Sequence, residues 1–446
     1  MDSLRSFIDA LPPEEVLRLH APIDLDYLPT ALSLELERAG RSPVVVIENP
    51  IGFVGPVVCN LFAERGRIAR MAGTSRENFN QAWLAASERR ISPVLVRDAP
   101  VQELVLTAGA LDAARLPISR HFEQDAGRYI SSGILICKDP DTGVRNLSYQ
   151  RMQLKGPDRF GVSLHSRGHI WDHWQRAAAR GRNLPVAVVI GGHPAIHLAA
   201  GAKMGMEVDE LEVAGALLGR PVELVACKTI DVEVPAAAEY VLEGEILADV
   251  FEDEGPFGEY TGYATSRSTR HVFVVRAITQ RAAPWFLDII PGYSAEHLLL
   301  GRAGKEAHVW NRLREMVPGA VALNFPKSGT HFHAYLSLRA TAPGQARHAL
   351  MLLFGLDPYL KLAVVVDEDI DVFNETEMLW ALATRFQADS DMFVVPKVFC
   401  NRLDPSSVDG MSAKLGMDAT RKPGWDVIRT SLPEAAMQWA REIVRG

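Results

Sequence analysis

Cysteine pairs are missing from this chain of 446 residues. Its four cysteines, Cys59, Cys137, Cys227 and Cys400, stand far apart and form no C-x-x-C motif. That spacing argues against a disulfide framework or a thiolate zinc site and fits a reducing, cytoplasmic setting. Small, buried, apolar roles are expected for most of these thiols. A basic excess is also missing. The 47 Lys and Arg residues against 55 Asp and Glu give a net charge of −8. With no basic run, nucleic acid is not expected as a partner. Long hydrophobic runs are absent too. The longest weakly charged stretch, 184–202, carries two prolines and two histidines. It reads as a buried strand and loop rather than a membrane span. The first nine residues lack a basic segment followed by an apolar one, so no signal peptide is expected. Nucleotide-binding glycine signatures are absent: Gly191-Gly192-His193-Pro194 and Gly301-Arg302-Ala303-Gly304-Lys305 match neither G-x-G-x-x-G nor the phosphate loop. No internal repeat or low-complexity tract appears.

What is present is an ordinary folding composition. Hydrophobic residues make up 48% and charged residues 23%, enough for two or three packed domains. Residues 1–105 mix helix and strand. Asp2 is placed to cap a first helix that stops before Pro12-Pro13. Pro43–Ile47 and Pro93–Val96 read as strands, and 76–90 has helical spacing at Phe79, Trp83 and Ala86. Residues 106–300 turn β-rich, with strands expected over Ile130–Ile136, Asn146–Leu154, Phe160–His165, Pro185–Ile190, Val222–Ala226 and His271–Ile278. So many short strands suggest a barrel or sandwich. Helical spacing near Glu210–Leu218 interrupts them. Residues 301–446 are α/β, with helices over Ala303–Met316, Met378–Phe386 and Ser431–Arg445, a capping box at Ser431 and Glu434, and a buried strand at Leu362–Val366. Asp404–Gly424 is polar and glycine-bearing and reads as a loop.

Glu254-Gly255-Pro256-Phe257-Gly258-Glu259 sets two carboxylates around a Gly/Pro turn. Such a turn can aim both into one cavity, and differing surroundings can drive their pKa values apart. Alone, the motif reads first as a charged surface hairpin tip. Asn146, His169 and Glu210 offer an amide oxygen, an imidazole and a carboxylate, which suit Mg²⁺ or Mn²⁺. His165 and His173 lie four residues to either side of His169, so spacing leaves the ligating histidine open. Glu210 by itself reads as the solvated start of a helix. Arg151, five residues after Asn146 and placed on the same expected strand, is either a surface ion-pair residue or a clamp on a carboxylate. Lys361, before the Leu362 strand, is either a strand-edge charge or a phosphate contact.

Together these segments resemble the UbiD family of decarboxylases, which use prenylated FMN. The resemblance runs over roughly 100–400. Asn146-Leu147-Ser148-Tyr149-Gln150-Arg151 is similar to the family's N-x4-R. Ser166-Arg167-Gly168-His169 is similar to its histidine segment, and Asp209–Ala216 to its D-E-x-x-x-A-G-A. Glu254–Glu259 matches E-G-P-F-G-E, and Val365–Asp371 with Trp380–Arg385 resembles the C-terminal signatures. The resemblance implies an α+β fold in which a β-barrel-type flavin-binding domain is flanked by an N-terminal α/β region and a C-terminal α/β oligomerisation domain joined by a helix. It implies that Asn146, His169 and Glu210 hold Mn²⁺ or Mg²⁺ against the flavin phosphate, with K⁺ beside it and Lys361 on the same phosphate. It implies a catalytic network of Arg151, Glu254 and Glu259. Ser148, Tyr149, Gln150, Gly168, Ala202 and Met204 would line the cofactor. Where some members carry glutamine before the metal histidine, this chain has Gly168.

The implied reaction is reversible, non-oxidative decarboxylation of an α,β-unsaturated acid through a covalent adduct with prenylated FMN, Glu259 giving the proton. Partners would be the acid, CO₂, a flavin prenyltransferase that supplies the cofactor, and further copies of the chain in a homodimer or homohexamer. Substrate contacts are expected from 290–300 and 324–333, among them Tyr293, His297, Arg302, His331 and His333. Their histidines and few bulky aromatics favour a small heteroaromatic acid. Alternatively, His297 packs at a helix start and Arg302 faces solvent. Two other classes fit the same residues: a metal-dependent hydrolase with Glu259 as general base, and a non-catalytic subunit of a larger carboxylase.

Overall fold

In the computed structural model of the protein, residues 3–164, 168–339 and 342–445 are described. Asp2, His165, Ser166 and Arg167 lie outside them. The first helix, Leu4–Asp9, is capped by Ser3, whose side chain accepts from the Ser6 amide at 3.2 Å. Val16–Ile23, Val44–Pro50 and Val57–Cys59 form a sheet whose fourth strand, Phe286–Leu287, arrives from far downstream. One hydrophobic core therefore runs continuously from Leu4 to Ala307.

That core is built on a nine-stranded antiparallel sheet. Across it run Tyr129–Ile130, Met152–Gly156, Arg159–Val162, His271–Gln280, Tyr240–Phe251, Leu184–Ile190, Ile134–Lys138 and Arg145–Tyr149. Leu104–Thr107 adds to His271–Gln280 as the ninth. Leu184–Ile190 is paired on both sides and almost wholly buried, which is why its sequence is a continuous apolar run. Arg145–Tyr149 ends the path on one side, and Met152–Gly156 lies one strand from its other end. Only Gln150 and Arg151 separate these two strands in the chain, a gap that extended backbone spans over about 11 Å. The sheet must therefore curl until its margins nearly meet, giving a half-barrel with Arg151 at the seam.

Several expected elements are corrected here. Asn146–Leu154 is not one strand, and Arg151 does not share a strand with Asn146. Ile130–Ile136 is likewise broken at Ser131–Gly133. After Leu184–Ile190 comes not a loop but the helix Pro194–Ala200. Pro194 takes its first turn, where a missing N–H costs nothing, and His193 Nδ1 accepts from the Ala195 amide.

A second core lies under a five-stranded sheet ordered Ala320–Asn324, His333–Leu338, Leu362–Asp367, Met411–Ala419, Met392–Phe399. Met411–Ala419 falls inside the segment expected to be a loop. Its alternation is masked because Lys414 is buried, its ammonium donating to the Pro358 and Leu360 carbonyls at 2.8 and 2.6 Å. The last helix is Glu434–Arg445. Ser431 lies before its start, and Glu434 accepts from Arg441 rather than completing a capping box. The helix Ala303–Met316 joins the cores: Ala303 and Ala307 pack into the first, Val309 and Leu313 into the second. Among the described residues no helix is long and apolar enough to cross a membrane.

Candidate active site

The Glu254–Glu259 turn leaves the long strand Tyr240–Phe251 and folds back as the pair Phe257–Gly258 with Ala264–Thr265. Gly255 sits at φ 94°, and a Cβ there would lie 3.3 Å from the Thr265 carbonyl oxygen. The positive φ favours glycine, and the close carbonyl makes a side chain costlier still. Gly255→Ala is expected to cost about 1–3 kcal/mol and to loosen both carboxylates, read as a lower urea midpoint together with lost activity.

Arg151, at the seam, meets both acids. Its Nε and Nη2 donate to the two Glu254 oxygens at 3.0 Å each. Nη1 donates to Glu259 Oε1, and Nη2 also reaches the Arg267 carbonyl at 2.7 Å. The guanidinium lies 5.2 Å from the centre of the Phe257 ring. The planar fork is thus fixed on Glu254, whose side chain is fully buried. Glu259 keeps 13% of its side-chain surface. Burial pushes its carboxyl above the usual carboxylate value, against the pull of Arg151. Two carboxylates on one arginine therefore have different surroundings, as acid chemistry near neutral pH requires.

Asn146, His169 and Glu210 also converge. The strand Arg145–Tyr149 carries Asn146, and His169 and Glu210 each open a helix. Asp209 caps the Glu210 helix, accepting from the Leu211 amide at 2.9 Å, and Gly219 ends it in the left-handed region. Asn146 Nδ2 lies 3.0 Å from Glu210 Oε1 and 3.2 Å from His169 Nδ1. Glu210 is buried rather than solvated, accepts from the Leu147 amide at 2.8 Å, and is pushed up to about 8 by burial. Burial lowers His169. Asn146 Oδ1 is buried with no hydrogen-bond partner. An orphaned amide oxygen beside a desolvated carboxylate and a neutral imidazole is a donor set suited to a divalent cation. Among the described residues no cluster of three His, Cys, Asp or Glu forms such a site; here an amide completes the set. His173, four residues on, is instead turned to Cys137 and Asp139.

A cavity of about 490 Å³ lies between the seam and the second core, walled by Tyr149, Gln150, Arg151 and Glu259 on one side and Tyr359 and Asn401 on the other. His297 also lines it, its Nδ1 3.2 Å from the Gly292 carbonyl and its pKa lowered to about 4 by burial. The other expected contacts lie elsewhere. Arg302 does not face solvent. It is buried, donating from Nε to His331 Nδ1 at 3.0 Å and from Nη1 to the Phe325 carbonyl. A long alkyl stem and three carbonyl or ring acceptors make that burial tolerable. His331 packs edge-on to Tyr260, 4.6 Å between ring centres. Tyr293 walls a separate cavity, and His333 is the first residue of a strand in the second sheet. Lys361 is paired with Asp404 at 2.9 Å and Ser406 at 2.6 Å. Ser148 is on the Asn146 strand, and Gly168 precedes the His169 helix in extended conformation. Ala202 and Met204 pack on the first core, and Lys203 between them lies over the Tyr359 ring at 5.0 Å.

Several wall residues escaped the sequence reading. Asn401 lines the cavity and donates to the Tyr260 hydroxyl at 2.5 Å. Ser131 lines it too and donates to Asp288, which also meets His121 at 3.0 Å. Their only sequence signal is polarity beside apolar strands.

Three family profiles match the chain in succession. They describe the N-terminal domain of 3-octaprenyl-4-hydroxybenzoate carboxy-lyase over residues 13–87, its Rift-related domain over 94–294 and its C-terminal domain over 298–419. The chain belongs to the UbiD family. It is a UbiD-family carboxy-lyase, and its half-barrel corresponds to the Rift-related domain. It is 33% identical over 422 residues to the anhydromevalonate phosphate decarboxylase of Methanothermobacter thermautotrophicus, covering 94% of this chain and 96% of that one. The UbiD-class enzyme HmfF of Pelotomaculum thermopropionicum, solved with FMN, superposes at TM-score 0.93 and 40% identity over 98% of both chains. The vanillic acid decarboxylase of Sedimentibacter hydroxybenzoicus superposes at 0.86 in its open form and 0.82 in its closed form, at 27% identity over 100% of this chain and 98% of that one.

Proposed function

We propose that this UbiD-family protein catalyses reversible, non-oxidative decarboxylation of an α,β-unsaturated, small heteroaromatic carboxylic acid, with prenylated FMN in the cavity beside Arg151. The observation that carries the reading is one arginine joined to two unequally buried glutamates, the more exposed of them in the wall of a cavity of ligand size. HmfF structures hold FMN and, in an evolved dimeric form, prFMN. When bound, the modified flavin supplies the electron sink that an sp² carbon losing CO₂ needs and no side chain provides.

The residues of this chain do the rest. Arg151, locked on Glu254, holds Glu259 toward the cavity. Protonated Glu259 gives its proton to the carbon that has lost CO₂. Asn146, His169 and Glu210 would hold Mn²⁺ or Mg²⁺ for the cofactor phosphate, with K⁺ beside it. Ser148–Arg151, Gly168, Ala202 and Met204 would flank the cofactor, and Lys361 would reach the phosphate on leaving Asp404. His297 would meet a second polar group on the acid. Arg302 and His331 act behind it rather than on the substrate. The anhydromevalonate phosphate decarboxylase relative keeps a non-aromatic unsaturated acid in view. Leu379, Val394 and Val408, after residue 301, are exposed apolar side chains, which supports contacts with further copies in a dimer or hexamer.

Co-expression with a flavin prenyltransferase tests the reading. The purified protein should show visible flavin absorbance and release CO₂ from at least one of furoate, pyrrole carboxylate, indole carboxylate, a dihydroxybenzoate and a crotonate-type acid. A colourless protein that releases none would reject it in favour of a hydrolase or a non-catalytic subunit.

A further inference from the structure

Each decarboxylation consumes a proton: the carboxylate and one H⁺ yield CO₂ and the protonated product. If Glu259 gives that proton, it becomes a carboxylate and must be recharged before the next turnover. The cavity beside Arg151 is where cofactor and acid would lie, so while they fill it they stand between Glu259 and the solvent on that side.

Glu259 has a second face. It is the residue common to the walls of two cavities, the one beside Arg151 and another of about 370 Å³. The second is walled by Phe122, Gln124, Tyr263, Ala264, Tyr293 and Lys327. Tyr263 is 64% exposed and Tyr293 38%, so this chamber opens to water. Lys327 pairs with Glu37 and lies 4.4 Å from the centre of the Tyr293 ring, which sets polar groups at the rim. At the inner end, Gly258 and Gly292 both abut Phe122: a Cβ on either would come within 2.4 and 2.6 Å of its ring. The ring can approach the turn only because both neighbours lack side chains, and Glu259 lies in the chamber wall beside this packed end.

We infer that this second chamber is the antechamber through which water returns a proton to Glu259, separate from the cavity that holds the reacting acid. The inference rests on the decarboxylase reading above. The step is a proton transfer only: a solvent acid in the chamber gives H⁺ to the Glu259 carboxylate, and the carboxylic acid passes it to product carbon on the other side. No redox partner is needed.

Two bulky substitutions on different walls test it, Ala264→Trp and Gln124→Trp, both at exposed positions. Each variant is prepared with the prenyltransferase and assayed on the acid that the wild type turns over fastest. Flavin absorbance and melting temperature should match the wild type. The expected result is a kcat lowered about tenfold, less than the roughly 10²–10⁴-fold of losing the acid group itself, with KM unchanged. The solvent deuterium isotope effect on kcat should rise, because proton delivery becomes slower than chemistry. An unchanged kcat and isotope effect in both variants overturns the inference. So does a raised KM at constant kcat, which would make the chamber part of the substrate site. Absence of CO₂ release by the wild type would instead fail the parent reading.

Discussion

Glu259→Gln is expected to reduce kcat by about 10²–10⁴-fold while the protein keeps its flavin absorbance and its melting temperature. Glutamine has the volume of glutamate and still presents an oxygen to Arg151 Nη1, so the seam should hold. What it lacks is a transferable proton. The pH dependence gives a second signature. Burial raises the Glu259 carboxyl, with Arg151 opposing, so the group stays protonated to higher pH than an ordinary glutamate. Because the protonated form is the active one, wild-type kcat should hold on the acid side and fall about tenfold per pH unit above that pKa. The variant's residual rate should lack this limb. Full activity in Glu259→Gln would assign the proton to another group.

Arg151→Met should be costly twice. Its guanidinium is the hydrogen-bonded counter-charge of Glu254, whose side chain has no exposed surface. Removing one partner of such a pair leaves an uncompensated buried charge and costs about 3–5 kcal/mol. Chemical denaturation at neutral pH should show that loss, and adding Glu254→Gln should recover much of it. Activity should not return with stability, because Glu259 has lost its orienting partner. Arg151→Lys should rescue little, since a single ammonium cannot occupy both Glu254 oxygens and Glu259 at once. A stable, active Arg151→Met protein would show that the trio serves neither folding nor catalysis.

The legible parts of this chain were those where composition and periodicity agree. Leu184–Ile190 reads as a central strand because no polar residue interrupts it, and Ala303–Met316 reads as a helix with the bounds the structure gives it. The Glu254–Glu259 turn was legible because proline fixes one residue and glycine allows the positive φ a turn needs. Illegible parts were those where pairing partners override local pattern. The break at Gln150–Arg151 shows in sequence only as a change of phase, from apolar Leu147 and Tyr149 to apolar Met152 and Leu154; the closing of the sheet makes it a gap between two strands. Lys414 hid a strand because its ammonium finds backbone carbonyls that only the fold supplies. Arg302 reads as a substrate contact or a solvent-facing residue, and its acceptors at 325–326 and His331 cannot be seen in sequence.

The helix Ala303–Met316 is anchored at one end in each interior, and the floor and ceiling of the reaction chamber belong to different interiors. Its 14 residues make a rod about 21 Å long. Tilting such a rod by roughly 10° carries its far end about 4 Å, the thickness of an aromatic ring. If the two interiors shift against each other, the width of the cavity beside Arg151 would follow like the jaw of a calliper, set by a pivot remote from its walls. Residues away from that wall would then decide how wide a molecule it admits.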